Sequence, residues 1–315
     1  MNKDSRSSLI KSQWPALLIL LQSLFYGYGD PISKVAYEVT PVYTLLSIRY
    51  SIAFIILAAL FGKRIINTLK TTPLKVWLIP GLCISMSYLI GNVALAMAPA
   101  TSVAFLRSLS VVLTPAIAFL LYRTRYRWQH LVIQILALAG LYLLCVKGGL
   151  SGFGLGEALA ICDAVLRASA LVFSLKSLDS VDPVSLTALQ AGCSSVLATA
   201  ACFMFEGGLH IEPITPQAGA IILYLAVTCT LLGYLLQNLA LMKISDREVS
   251  LLQSLAPVMT AVFSFFLLGE RLSPAGITGS AIILACVIAS TLIPADTESK
   301  GRERTSEKQS RTQNL

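Results

Sequence analysis

Tyr88-Leu-Ile-Gly-Asn92-Val-Ala-Leu95 returns 146 residues further on as Tyr234-Leu-Leu-Gln-Asn238-Leu-Ala-Leu241, with five of eight positions identical. At the same offset Leu106–Arg125 lies over Leu252–Arg271 with eight identities in twenty, among them Ser108 with Ser254, Thr114 with Thr260 and Phe119 with Phe265. Shared apolar composition gives scattered matches; one constant offset through two blocks indicates a duplication. The halves run over 14–147 and 148–294. They lie between an N-terminal tail, 1–13, and a polar tail, 295–315, that reads as disordered and cytoplasmic.

The duplicated material is apolar throughout. Of 315 residues, 56% are hydrophobic and 13% charged, and mean hydropathy is +0.75. Soluble domains carry about 25% charged residues, so a cytosolic enzyme of ordinary make-up is excluded. Ten apolar segments follow one another: 14–36, 41–61, 76–98, 99–121, 128–146, 155–175, 183–205, 217–240, 246–268 and 274–294. Each approaches the roughly 20 residues a helix needs to cross a bilayer. Lipid offers backbone groups no partners, so helices are expected, and the alternation of barrel strands is absent. Basic Met1–Lys11 leads into the first segment without a small-residue cleavage site, which indicates a retained span.

The net charge of +8 reports orientation and not nucleic-acid binding. With the N-terminus inside, eighteen Lys and Arg fall in the two tails and the inner loops, against Lys34, Lys147 and Arg271 outside. This is the positive-inside pattern of a bacterial inner (plasma) membrane protein with both termini cytoplasmic. Five spans per half is an odd number, so the second half enters the membrane upside down. The expected fold is therefore an all-α integral membrane protein of ten transmembrane helices in two inverted five-helix repeats. In that architecture substrate sites lie near the midplane, between the repeats.

The motifs in order are Tyr26-Gly-Tyr-Gly-Asp-Pro31 in span one, Leu46-Ser-Ile-Arg49-Tyr in span two, Ser108-Leu-Ser in span four, and Leu252-Gln-Ser-Leu-Ala-Pro-Val258 with Leu268-Gly-Glu-Arg271-Leu in span nine. In this ordered set the chain resembles ten-helix members of the drug/metabolite transporter superfamily, of the EamA type, over residues 14–294. Tyr122-Arg-Thr-Arg125 departs from the Gly-Glu-Arg-like turn frequent in that family. The resemblance implies transport of small metabolites, often outward, and an arginine common at position 49 that stabilises the fold.

Polar groups inside spans mark the candidate site, because a charge at the bilayer centre costs about 2.5–3.5 kcal/mol even on the lenient insertion scale. Arg49, Arg107 and Asp163 each lie about 12 Å from the start of their spans, in one layer. Asp163 and Arg167 stand at i and i+4, either as a local ion pair or as cavity groups, with Asp163 a candidate carrier of a coupling proton. Arg107, Ser110 and Thr114 form a polar stripe in span four; Ser250, Gln253, Thr260 and Ser264 form the related stripe in span nine. Stripes of this kind serve a cavity or bond helices together. Gln22 is a further cavity candidate. Asn92 and Asn238 read as structural, and Asp30 as an outer-interface group beside Lys34. Pro31, Pro80, Pro115 and Pro257 mark broken or kinked helices, and Ala281, Ala285 and Ala289 form a small-residue face for helix packing or a homodimer.

Three arginines against Asp163 leave the central layer at +2, or +1 without Arg49, which favours a substrate bearing a carboxylate or phosphate, zwitterionic amino acids included. Seven cysteines lie in apolar stretches without CxxC spacing, His130 and His210 sit near span ends, and Gly152-Phe-Gly154-Leu-Gly156 lacks a βαβ context. No catalytic residues, metal site or cofactor are therefore expected. The expected function is a secondary transporter, with a receptor or assembly protein, or a membrane-embedded enzyme acting on a lipid-linked substrate, as the alternatives.

Overall fold

The computed structural model describes residues 3–98, 100–123, 128–145, 154–210, 215–268 and 273–292. These form only helices: α1 (Lys3–Tyr37), α2 (Val42–Thr71), α3 (Leu74–Met97), α4 (Ala100–Arg107), α5 (Ser110–Tyr122), α6 (Trp128–Cys145), α7 (Leu155–Ser177), α8 (Pro183–Ala201), α9 (Pro216–Tyr224), α10 (Gly233–Leu241), α11 (Asp246–Gln253), α12 (Ala256–Leu268) and α13 (Pro274–Leu292). A π-helical segment, Cys202–Glu206, continues α8, and a second, Leu225–Leu232, joins α9 to α10. No strand occurs among the described residues. The C-terminal tail and Arg125, Lys147, Gly152 and Arg271 lie outside them.

Among the described residues, six helical rods are long and apolar enough to cross a membrane: Val42–Thr71, Leu74–Met97, Leu155–Ser177, Pro183–Glu206, Pro216–Leu241 and Asp246–Leu267. Ser110–Tyr122, Leu131–Leu143 and Pro274–Ala289 are shorter apolar helices. Outward-facing side chains are apolar, as at Leu120 (79% exposed) and Phe266 (76% exposed), while Gln22, Asp163, Thr187 and Asn238 are buried. Backbone satisfaction in lipid favours this arrangement: helices close their own hydrogen bonds, and side-chain polarity turns inward.

Helix lengths differ from the expected spans. α1 starts at Lys3, eleven residues before the first apolar segment, and α2 continues past residue 61 to Thr71. At Phe61 the backbone leaves helical geometry (φ −127°, ψ 19°), which separates the apolar part of α2 from its Lys63, Arg64 and Lys70 extension. Pro31 and Pro80 lie inside continuous helices. The discontinuities fall elsewhere, at Ser108–Leu109 and Ser254–Leu255, which are equivalent positions at the 146-residue offset. There the backbone tightens to i→i−3 bonding, Leu109 N–H to Leu106 O and Leu255 N–H to Leu252 O, both 3.1 Å. Pro257 follows in the first turn of α12, where its missing N–H costs nothing.

Close helix contacts rest on small residues. A Cβ on Gly27 would lie 2.9 Å from the backbone of Met259 and Thr260, so glycine sets the approach of α1 to α12. Serines and threonines zip α2 to α8: Ser47 with Thr199 at 2.7 Å and Ser51 with Ser195 at 2.8 Å. Glu206 caps α2, accepting from the Tyr43 and Thr44 N–H groups at 2.8 Å each. On α13 the packed side is Cys286 and Ile282, against Ala137 and Ile133 of α6. Ala281 and Ala285 are exposed, so these alanines do not pack α13 within the chain. The bulkier side chains fill the groove with α6 instead.

Gly27→Ala is expected to lower the melting temperature of the detergent-solubilised protein, by an overpacking cost of about 1–3 kcal/mol. Gly62→Ala, where a Cβ meets nothing within 4 Å, is the control and is expected to leave it unchanged in thermal unfolding.

Candidate functional site

A cavity opens between α1, α2, α3, the α4–α5 and α11–α12 discontinuities, α7 and the second π-helical segment. Its walls include Asp30, Arg49, Arg107, Arg167, Gln253 and Thr260. The cavity volume is about 70 Å³, several times the ~10–15 Å³ that admits one water.

Arg107 is the hub. Its Nε donates to Asp163 Oδ2 at 2.8 Å, one terminal nitrogen reaches both Asp30 oxygens at 3.3 Å, and the other donates to Gly91 O at 3.1 Å. Asp163 is 0% exposed, behind the cavity wall. It also accepts from Ser87 Oγ at 2.5 Å and meets Arg167 at 3.6 Å across one helical turn. Arg167 lies 4.7 Å over the Tyr88 ring, and Tyr88 donates its hydroxyl proton to Tyr26 at 2.7 Å. Gly91 is obligatory here: a Cβ would stand 2.3 Å from Asp163 Oδ2. The i, i+4 spacing indicated the Asp163–Arg167 pair, but both groups belong to a larger cluster that reaches the cavity.

Asp30, expected beside Lys34, reaches Arg107 and lines the cavity. The contact depends on how α1 lies against α4, which position along α1 does not give. Two carboxylates therefore face three guanidiniums. The layer is +1 with Arg49 and neutral without it, one charge lower than the sequence indicates.

The second half carries the same geometry in neutral form. Gln253, equivalent to Arg107, donates to Gln22 Oε1 and Gln237 Oε1, both at 2.9 Å. Gln22 donates to Gly233 O at 2.7 Å; Gly233 and Gln237 are the equivalents of Ser87 and Gly91. Gln22 stands eight residues into the first apolar segment, as Asp163 does into the sixth, and each meets its i+4 neighbour, Tyr26 at 3.3 Å or Arg167. Gln237 was missed by sequence reasoning. Its signal was a lone amide in an apolar span, beside Asn238 in the repeated block.

The other predicted residues separate. Thr260 lines the cavity, although its hydroxyl donates to Ala256 O at 3.1 Å. Thr114 is 0% exposed, donates to Ser110 O at 2.7 Å and lies off the cavity wall. Asn92 lines the cavity, accepting from Tyr37 at 2.6 Å and donating to Tyr88 O at 2.7 Å. Asn238 lies in a separate network, donating to Thr187 Oγ1 at 3.0 Å and Gln190 Oε1 at 2.8 Å. Arg49 is 4% exposed, and its Nε donates to Thr230 Oγ1 at 2.8 Å. Six cysteines are free, and no group of metal-ligating side chains occurs among the described residues. The structure therefore offers charged and amide hydrogen bonding around a small cavity with apolar stretches in its wall.

The EamA-like transporter family model matches the chain twice, over residues 13–146 and 154–292. An uncharacterized transporter of Archaeoglobus fulgidus is 24% identical over 286 residues, spanning 90% of this chain and 87% of its own. Another uncharacterized transporter of that organism is 29% identical over 160 residues, 50% of this chain and 55% of its own. A solved crystal structure has the same fold, with a TM-score of 0.74 at 18% identity, covering 88% of this chain and 96% of that one.

Asp163→Asn is expected to destabilise the protein strongly, because removing one partner of a buried ion cluster costs about 3–5 kcal/mol. Asp30→Asn removes a longer contact to a partly exposed carboxylate and is expected to cost about 1 kcal/mol or less. Thermal unfolding in micelles checks the order; equal effects would contradict Asp163 as the buried anchor.

Proposed function

Because the chain belongs to the EamA-like transporter family, we propose that it is a secondary active transporter, carrying a small organic anion or amino acid across the plasma membrane by alternating access. Outward movement is the direction the family resemblance implies. The two halves act as inverted repeats of five helices each, with both termini cytoplasmic. Supporting this reading, the Arg107–Asp163–Ser87 and Gln253–Gln22–Gly233 clusters are equivalent residue by residue across the two halves. Helix pairing follows the same exchange: α1 packs on α11, α12 and α10, as α7 packs on α4, α5 and α3.

The observation that carries the function is where the discontinuities fall. Ser108–Leu109 follows Arg107 directly, and Ser254–Leu255 follows Gln253. Polar site residues at interrupted helices between repeats are a transporter arrangement. Rocking one half against the other about these points would open the cavity to alternate sides. Arg107, Arg167, Gln253 and Thr260 form the wall that the substrate meets, and Asp163 and Gln22 hold Arg107 and Gln253 in place. A coupling proton reaches Asp30 from the cavity more readily than the fully buried Asp163.

The test is counterflow in sealed proteoliposomes loaded with amino acids and organic acids. Saturable accumulation of a labelled solute is expected, reduced at least about tenfold per folded molecule by Arg107→Ala, a charge-assisted hydrogen bond being lost. Saturable binding without movement into the vesicle would contradict transport.

A further inference from the structure

Three guanidiniums border the cavity, and two are neutralised within the protein. Arg107 holds Asp30 and Asp163, and Arg167 holds Asp163 beneath the Tyr88 ring. Arg49 differs. Its Nε donates to Thr230, and its guanidinium lies 5.4 Å from the Tyr50 ring centroid. Among the described residues no carboxylate comes within ion-pair distance of it, and its two terminal nitrogens have no hydrogen-bond acceptor. They are not sealed in the protein either, since the residue lines the cavity.

A buried charge is stable only when paired and hydrogen-bonded, and the membrane interior makes the demand sharper. We propose that Arg49 is the anion pole of the cavity, and that its ligand is a small monocarboxylate. This rests on the transporter reading of the same site and names its substrate class. The charge balance selects the class. Asp30 and Asp163 cancel Arg107 and Arg167, so the layer holds a single unpaired positive charge, which a monoanion neutralises and a phosphate dianion overshoots. A zwitterion brings an ammonium whose carboxylate partners are already held by Arg107.

Geometry agrees with the charge. With Nε fixed by Thr230, the two terminal nitrogens form the planar fork that meets both oxygens of a carboxylate. Thr230 is placed by the π-helical segment Leu225–Leu232, whose wider turn brings residue 230 to α2. Such π-helical turns occur frequently at functional sites.

The experiment measures binding of labelled pyruvate, alanine, inorganic phosphate and choline to the full-length protein in nanodiscs, and their counterflow in proteoliposomes. Pyruvate is expected to bind in preference to the other three. Arg49→Gln is expected to weaken pyruvate binding about tenfold or more, the loss of charge-assisted bonds, with the melting temperature close to that of the parent. Arg49→Lys keeps the charge without the fork and is expected to fall between. Thr230→Val leaves the charge in place and is expected to weaken pyruvate several-fold, which supplies a test should Arg49→Gln fail to fold. Pyruvate bound equally well by all folded variants would overturn the proposal, as would a preference for alanine, phosphate or choline. Counterflow of those other solutes would leave the transporter reading standing. Arg49-dependent binding with no solute crossing the vesicle would sustain the anion pole and overturn transport.

Discussion

One guanidinium, on the last residue of α4, has to satisfy groups on three other helices at once. Arg107 bonds Asp30 of α1, Asp163 of α7 and the Gly91 carbonyl of α3. Asp163 is fully buried and has no water to fall back on, so the four helices are held in one relation. The constraint also explains local sequence. Gly91 must lack a side chain, Ser87 must donate to the Asp163 oxygen that Arg107 leaves free, and Arg167 must share that carboxylate. Placing α4 in this way ends it at the wall of the cavity, and the tightened turn at Ser108–Leu109 lets α5 take a new start.

The same frame is built a second time with different chemistry. Gln253, Gln22 and Gln237 make a neutral clasp where the first half has an ionic one. The amide clasp needs no counter-charge and pays no ionic desolvation; the ionic cluster is costlier to bury and stronger once made. A site with one charged and one neutral side is asymmetric toward its ligand even though its scaffold is repeated. Arg49 and Thr230 add a further positive edge from α2 and the π-helical segment.

Much of this was legible in the sequence. Hydropathy indicated an all-helical membrane protein, and the repeated block around Asn92 and Asn238 indicated a duplication. The i, i+4 spacing put Asp163 and Arg167 on one face, where they meet. What was not legible depends on how helices tilt and lie against one another. Asp30 was placed apart from Arg107 because position along span one does not say which helix its carboxylate faces. Gln237 was passed over because a single amide carries no period. The prolines divide: Pro31 and Pro80 are accommodated inside continuous helices, whereas Pro257 follows one of the two serine–leucine breaks. Thr114 shares the spacing of a site residue, yet its hydroxyl is spent on its own helix.

The central claim is that two like-built halves face opposite sides of the membrane around one chamber. The direct measurement is labelling by a membrane-impermeant maleimide of single cysteines at positions 125 and 271, in a cysteine-free background in intact cells. These positions are equivalent in the two halves. The account predicts that a cysteine at 271 is labelled from outside while one at 125 is labelled only after the cells are opened. Labelling of both from the same side would contradict the inverted arrangement and the shared chamber that depends on it.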